Sequence, residues 1–230
     1  MERWATFDCY GTLIDWDGGV GDELARLWGE ERRAALLARY HQIEPLIQAG
    51  SGGALSYRQV LTVALGRIAA AEGLVLPAAE TAALAGSLPR WRAFPEAPTA
   101  LREARARGWR LAILSNTDRD YIEASLATIG VPFEEVVVAG EIGSYKPAHG
   151  HWETFFARTG APPEGHVHVG ASLFHDAEPA SALGLPMVWI NRLAEQATVP
   201  VARELSTLAG LADALDALVP AGGAAAAELS

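Results

Sequence analysis

The sequence contains a single cysteine, Cys9, among 230 residues. An internal disulfide is therefore excluded, and we expect a reducing compartment, since disulfide-dense chains belong to oxidising ones. Basic residues are also few: 18 Lys and Arg side chains stand against 28 Asp and Glu, which gives a net charge of −10. We expect no binding to nucleic acid, because contacts to phosphates need clustered basic side chains.

Long apolar runs are missing as well. No stretch approaches the length needed to cross a bilayer, and Glu2 and Arg3 stand where a signal peptide would begin its apolar region. These absences predict a cytoplasmic protein that does not bind membranes. The C-terminal tail, AGGAAAAELS, is low in complexity, and its composition predicts that it frays.

Apolar residues make up 50% of the chain, and after Phe94 they form short runs that alternate with helical patterns. The runs are typical of buried strands; they are RLAILSN, EEVVVAG, HVHVGAS and PMVWINR. Four predicted helices precede or separate them, and each ends at a glycine suited to a left-handed helix terminus; these glycines are Gly108, Gly130, Gly160 and Gly184. The alternation predicts an α/β fold, a parallel sheet covered by helices on both faces.

Residues 15–91 have a different pattern, with helical periodicity and no strand. A helical block that follows the first strand and precedes the others is typical of an insertion. We predict an α-helical cap domain at 15–91 and a discontinuous α/β core formed by 1–14 and 92–230. The alternative is that two of these helices simply cover the sheet.

Polar side chains follow four of the predicted strands. Asp8 ends the first one, in WATFDCYGTLID, and Ser115 and Asn116 end the second. Lys146 lies in the loop after VVVAG, and Asp176 follows HVHVG. Alone, an Asp followed by a Gly is explained by a helix cap or a turn. Right-handed crossovers bring all the strand ends to one edge, so four such loops favour an active site with Asp8 as the nucleophile.

Four segments of the sequence, in the order FDCYGTL, ILSNTD, YKPAHGHW and VGASLFHD, resemble the four motifs of the haloacid dehalogenase-like (HAD) hydrolase superfamily. The resemblance spans nearly the whole chain and implies a Rossmann-like core with an inserted helical cap. It also implies that Asp8 forms a covalent intermediate, that Lys146 is the cation beside it, and that Ser115 binds the transferred or carboxylate group. A positioned, partly desolvated carboxylate next to an ammonium is a competent nucleophile.

Two positions separate the branches of this superfamily. Phosphatases carry a second Asp two residues after the nucleophile and an acid early in the fourth motif that holds Mg²⁺. Tyr10 and Ala171 occupy these positions here. A phenol with a pKa near ~10 is a poor general acid, and attack on a phosphate dianion needs a cation. A phosphatase for a small phosphorylated metabolite, with Mg²⁺ at a weakened site, is therefore the second hypothesis.

A dehalogenase needs neither acid, because the halide leaves as a stable anion. FDCYGTL, with Tyr10, is similar to the first motif of L-2-haloacid dehalogenases (type II). This resemblance implies that Thr12 lies near the nucleophile and that Arg39 in the cap accepts the halide. The alternative for Arg39 is an ordinary solvated charge. The sequence departs from the family pattern at Trp152, where Tyr is usual, and at Ala171-Ser172-Leu173, where Ser and Asn are usual.

The first hypothesis is hydrolytic dehalogenation of a short 2-halocarboxylic acid through an ester on Asp8, with no cofactor and with Asp176 activating or orienting water. The third is a non-catalytic HAD-like binding protein, which the Asp8 and Lys146 pair disfavours. The predicted catalytic residues are Asp8, Lys146 and Asp176, and the predicted substrate-binding residues are Tyr10, Thr12, Arg39, Ser115, Asn116, Trp152, Ser172 and His175. No metal ligands are predicted, the partner is a haloacid or another small anion, and family members are often homodimers.

Overall fold

The computed structural model describes residues 1–51 and 54–222. It contains the strands β1 (Arg3–Phe7), β2 (Trp109–Ser115), β3 (Glu135–Val138), β4 (His166–Gly170), β5 (Met187–Ile190) and β6 (Arg203–Leu205). They form one sheet in the order β3-β2-β1-β4-β5-β6, and every neighbouring pair is parallel. The predicted parallel α/β sheet is confirmed. From residue 223 onward, the tail predicted to fray lies outside the described residues.

Ten α-helices belong to the described residues. They are α1 (Trp16–Trp28), α2 (Arg33–Ser51), α3 (Tyr57–Ala71), α4 (Ala83–Ser87), α5 (Ala97–Ala106), α6 (Arg119–Ile129), α7 (Ala139–Ile142), α8 (Gly150–Thr159), α9 (Glu178–Ala182) and α10 (Leu211–Leu218). A π-helical turn at Leu173–Ala177 precedes α9. Gly108, Gly130, Gly160 and Gly184 have φ between +64° and +85°, which confirms the predicted helix ends. None of the described helices is long and apolar enough to cross a membrane.

Strand β1 lies in the middle of the sheet because its sequence, RWATF, is buried on both faces. Its side chains alternate between two apolar clusters: Trp4 packs with Trp152 and Phe155, while Phe7 packs in the larger cluster with Ile113. The strand order reverses at β1, so the loops that follow β1 and β4 diverge there. Ligands bind at such a reversal in open α/β sheets.

Helices α1–α4 follow β1, and no strand lies within residues 15–51 or 54–91. The four helices pack against one another. The chain leaves and re-enters the α/β part at adjacent points, where Asp15 N donates to Arg92 O at 2.8 Å and Phe94 N donates to Leu13 O at 2.9 Å. This pairing supports domain boundaries at 14 and 92, which stay a prediction.

Two elements near the C-terminus have no counterpart in the sequence-based reading. Strand β6 pairs only with β5, and its Arg203 and Glu204 are exposed, so it lacks the apolar run typical of a buried strand. Helix α10 buries Leu211 and Leu215 on one face, and the spacing of four residues between them is typical of a helix.

Candidate active site

A cavity of about 540 Å³ opens at the carboxyl edge of the sheet and is lined both by the strand-end loops and by the helical insertion. The structure brings eight of the eleven predicted site residues to this cavity: Asp8, Tyr10, Ser115, Asn116, Lys146, Ser172, His175 and Asp176. Thr12, Arg39 and Trp152 do not line it. Loops from four strands therefore deliver their polar side chains to one place.

The centre of the site is an ammonium held between two carboxylates. Lys146 Nζ donates to Asp8 Oδ1 at 2.8 Å and to Asp176 Oδ1 at 2.6 Å. The side chains of Lys146 and Asp176 are 1% and 0% exposed, whereas that of Asp8 is 13% exposed. Of the three groups, only Asp8 presents its charge to a ligand in the cavity.

Lys146 is the only lysine in the chain, which has 17 arginines. A compact ammonium fits between two carboxylates, whereas the planar fork of Arg demands a different geometry. The single lysine is therefore a feature of the sequence that marks this position. Asn116 orients Lys146 through its main chain, since Lys146 N donates to Asn116 Oδ1 at 2.7 Å and Asn116 Nδ2 donates to Lys146 O at 3.0 Å.

Asp8 is held by the turn that follows β1. Gly11, with φ of +88°, adopts a conformation that favours glycine and turns the chain back over the strand end. Thr12 then donates its hydroxyl to Asp8 Oδ2 at 3.0 Å and accepts from Ala171 N at 3.0 Å. Because Thr12 is fully buried, it positions the nucleophile and does not contact the cavity.

Asp176 is fixed by three donors. Besides Lys146, Ser172 N donates to its Oδ2 at 3.2 Å and His168 Nε2 lies 3.3 Å from its Oδ1. Gly170 allows the close approach of this carboxylate, because a Cβ at that position would lie 2.5 Å from Asp176 Oδ2. These contacts make Asp176 a fixed counter-charge for Lys146.

The histidines of the HVH segment form a directed hydrogen-bond chain. An ionised Asp176 only accepts, so His168 Nε2 carries the proton and His168 Nδ1 accepts from Thr6 Oγ1 at 2.8 Å. Thr6 Oγ1 in turn accepts from His166 Nε2 at 2.8 Å. The period-two alternation of a strand places both histidines on one face, and this much is visible in the sequence. The contact of His168 with Asp176 depends on the turn that follows β4.

Burial and the shared ammonium set the charge state of the centre. Burial raises the pKa of Asp8, and Asp176 adds to this while Lys146 opposes it. Burial also acts to raise the pKa of Asp176, but Lys146 and the hydrogen bond from His168 outweigh it and hold this pKa well below its usual range. Burial disfavours the charged form of Lys146, but Asp176 and Asp8 together raise its pKa. As the pH falls, Asp8 therefore takes up a proton before Asp176 does.

The other predicted substrate-binding residues in the cavity differ in whether their polar atoms already have hydrogen-bond partners. Ser115 Oγ is buried and has no hydrogen-bond partner among the described residues, so it is available to a ligand. Tyr10 lines the cavity with its ring while its hydroxyl lies 3.0 Å from Ser125 Oγ. His175 Nδ1 lies 3.1 Å from Ser172 Oγ, and burial lowers the pKa of His175 to about 4.

Two predicted substrate-binding residues lie elsewhere. Arg39 donates from Nε to Glu72 Oε1 at 2.7 Å and from Nη1 to Gln42 Oε1 at 2.8 Å, and its side chain is 42% exposed. Trp152 is fully buried against His168, with ring centroids 5.1 Å apart. The halide role of Arg39 and the pocket role of Trp152 therefore have no support in the geometry.

Replacing Arg39 with Ala is expected to leave kcat/KM for halide release within about threefold of the unchanged protein, because an exposed ion pair contributes little. Steady-state halide release measures this, and Arg26→Ala, which removes another exposed ion pair of the insertion, is the matched control. A loss of about a thousandfold confined to Arg39→Ala would show that Arg39 reaches the substrate during turnover.

Several lining residues were not predicted as ligands. Helix α2 contributes His41, Glu44 and Gln48, and the segment after β5 contributes Arg192. Arg192 stacks on Phe94, with its guanidinium carbon 3.4 Å from the ring centroid. It pairs with Glu96 at 2.8 Å and donates to Thr12 O at 3.0 Å, so it also supports the turn that holds the nucleophile.

The donors present do not fit a magnesium site of the phosphatase type. Tyr10 and Ala171 stand at the positions where acids are required, Tyr10 directs its hydroxyl to Ser125, and Ala171 has no side-chain oxygen. Among residues 1–51 and 54–222, no group of three or more His, Cys, Asp or Glu side chains is arranged to hold a metal.

The model of the haloacid dehalogenase-like hydrolases matches residues 3–184. The chain is 30% identical over 189 residues to an (S)-2-haloacid dehalogenase of Pseudomonas sp. (strain YL), which covers 81% of each protein. The chain belongs to the haloacid dehalogenase-like hydrolase family. The hydrolase also superposes on the crystal structure of an L-2-haloacid dehalogenase with a TM-score of 0.84 and 25% identity, over 94% of its own length and 99% of the other chain.

The likeness of the hydrolase to phosphatases is partial. A phosphoserine phosphatase of Thermus thermophilus is 33% identical over 105 residues, but these are 45% of this chain and 42% of the phosphatase. The predicted resemblance to the superfamily, and within it to the type II dehalogenase branch, is confirmed by the matches that span most of the chain.

Proposed function

We propose that the hydrolase removes the halogen from a short 2-halocarboxylic acid by water, through an ester on Asp8. The observation that carries this proposal is the arrangement of Asp8, which is open to the cavity and receives one donor on each oxygen, from Lys146 and from Thr12. The relatives that match over most of the chain are named as haloacid dehalogenases, which supports the same reaction.

In the first step a carboxylate oxygen of Asp8 attacks the carbon that bears the halogen. A carbon–oxygen bond forms, the carbon–halogen bond breaks, and the halide leaves with the bonding electron pair. Lys146 offsets the charge of the nucleophile, and Ser115 Oγ is free to donate to the carboxylate of the substrate. The halide leaves without a proton, so the reaction needs no general acid at the position that Tyr10 occupies.

In the second step water attacks the carboxyl carbon of Asp8, and the bond from that carbon to the ester oxygen breaks. The product is a 2-hydroxy acid, and Asp8 is restored as a carboxylate. The attacking water gives one proton to a neutral base, which passes it to the departing alkoxide, and the carboxylic acid formed at Asp8 releases the second proton of the water to the solvent. Asp176 is fully buried and occupied by donors, whereas His175 lines the cavity with its Nε2 uncommitted among the described residues. We therefore assign the base role to His175, and Asp176 orients Lys146.

Halide release from a 2-haloacid is expected to continue in EDTA, because no step of this reaction passes through a metal. The measurement is a parallel assay of haloacids and phosphomonoesters, each with and without EDTA, with halide and phosphate as the products. Phosphate release abolished by EDTA, without halide from any haloacid, would favour the phosphatase hypothesis. Binding without any product would favour the non-catalytic one.

A further inference from the structure

Carboxylates dominate the lining of the cavity. Six of the lining side chains are acidic, and only Lys146 and Arg192 among them carry a permanent positive charge. Lys146 is already shared between two carboxylates, and Arg192 is paired with Glu96, which is not part of the lining. The acids contributed by the helical insertion and by the segment after β5 are Asp15, Asp17, Glu44 and Glu195. Asp17 pairs with His41 at 2.8 Å and Asp15 accepts from Gly18 N, whereas the buried Glu44 has no cationic partner among the described residues. The lining therefore points to a ligand that carries a positive charge in addition to its carboxylate.

Glu44 is the acid of this set that is buried and yet has no cationic partner among the described residues. It is 3% exposed, and within residues 1–51 and 54–222 its carboxyl accepts one hydrogen bond, from Gln48 Nε2. No Arg or Lys side chain pairs with it in the described part of the chain. Burial raises the pKa of Glu44 to about 7. A carboxyl that faces a cavity with one amide partner is costly to ionise, unless a ligand supplies the opposite charge.

Three aromatic side chains, Tyr10, Trp16 and Tyr57, line the same cavity as Glu44 and the nucleophile. Tyr10 stacks on Tyr57 with ring centroids 6.1 Å apart, Trp16 Nε1 donates to the Tyr57 hydroxyl at 3.2 Å, and Trp16 stacks on His41 at 5.3 Å. Burial, followed by Glu44 and, more weakly, Asp8, raises the pKa of Tyr57, so this ring lies within the influence of both carboxylates. Aromatic faces attract cations, most strongly where water is excluded.

We propose that the substrate of the hydrolase is a 2-halocarboxylic acid whose far end carries a substituted ammonium group, bound by Glu44 against the rings of Trp16 and Tyr57. The inference rests on the proposed function and names the substrate class of the same site. A three-carbon acid would fill a small part of a cavity of about 540 Å³, which is a volume typical of sites for larger ligands.

Two chloroacids of matched shape test whether the site prefers a positive charge at the far end of the substrate. 2-Chloro-6-(trimethylammonio)hexanoate carries the cation, and 2-chloro-7,7-dimethyloctanoate places an uncharged tert-butyl group at the same distance. We expect kcat/KM for halide release to favour the cation by about tenfold or more, as a desolvated charge pair allows. In Glu44→Gln the ratio should fall toward one. Glu31→Gln, the same substitution at an exposed position of the insertion, should keep the ratio of the unchanged protein.

Binding separates this inference from the proposed function. The affinities of the halogen-free analogues, 6-(trimethylammonio)hexanoate and 7,7-dimethyloctanoate, are measured by calorimetry on the same three proteins. Tighter binding of the cation that depends on Glu44 supports the inference, whether or not halide is released. Equal or tighter binding of the neutral analogue overturns it. Absence of halide from every haloacid overturns the proposed function, and the binding ratio still decides between the charged and the neutral ligand.

Discussion

Replacing Asp8 with Asn is expected to lower the rate of halide release by at least about a thousandfold. The amide of Asn is a far weaker nucleophile than a carboxylate and cannot form the ester. The substitution keeps the shape of the side chain and its contact with Thr12, so the fold should persist. Halide release under single-turnover conditions measures the loss, and Asp22→Asn, at an exposed acid of α1, is the matched control.

The fate of labelled oxygen distinguishes the ester from direct attack by water. In a single turnover in ¹⁸O-water, the label should enter the Asp8 carboxyl, because water attacks the carboxyl carbon and the product takes its oxygen from the enzyme. Mass spectrometry of the peptide that contains Asp8 detects this label. Label in the 2-hydroxy acid after the first turnover, with none in Asp8, would refute the covalent step.

The strand-end residues could be predicted from the sequence because the parallel topology fixes where they lie. Once β1, β2 and β4 are recognised as buried strands, Asp8, Ser115 and Asp176 must meet at one edge, whatever packs around them. The topology depends on local apolar runs, which a single sequence displays. The edge strand β6 was not predicted, because it lacks such an apolar run.

The sequence does not show which face of a helix lines the cavity. Arg39 and His41 are two residues apart on α2, about 200° around the helix, so only one of them can face the nucleophile. Leu36, Tyr40, Glu44 and Ile47 are buried, and this packing turns His41 toward the cavity and Arg39 toward Glu72. A motif match gives the position of Arg39 along the chain, whereas its direction depends on tertiary packing that one sequence does not display.

The hydrogen-bond supports of the site depend on tertiary contacts too. His168 lies in a run predicted only as a buried strand, with no role in the site, yet it donates to Asp176. Asn116 looks like a substrate ligand at a strand end, yet its amide holds the main chain of Lys146. Asn116 and Lys146 meet only when two loops 30 residues apart in the sequence are brought together, and His168 meets Asp176 only because the turn after β4 folds back over the strand.

Replacing Lys146 with Met is expected to reduce the free energy of unfolding at about pH 7.5 by about 3–5 kcal/mol and to lower halide release by at least about a hundredfold. The substitution keeps an unbranched chain but removes the ammonium. Asp8 and Asp176 then face each other without the buried counter-charge that now lies 2.8 Å and 2.6 Å from their oxygens. An uncompensated buried charge costs more than the net gain from the pair.

The pH dependence identifies electrostatics as the cause of this loss. Without the ammonium, the pKa values of the two carboxyls in the folded state rise above those of the unfolded chain. The native state then binds more protons than the unfolded state, so its stability increases as the pH falls through the folded pKa values. We therefore expect the loss in free energy of unfolding of Lys146→Met, relative to the unchanged protein, to become smaller between about pH 7.5 and about pH 5, as measured by urea unfolding.

Arg39→Met, which removes an exposed cation by the same replacement, should change the free energy of unfolding by about 1 kcal/mol or less, and this change should not depend on pH in the same way. A deficit that widens toward acid, or a Lys146→Met protein as stable as the original, would show that the two carboxylates do not depend on Lys146.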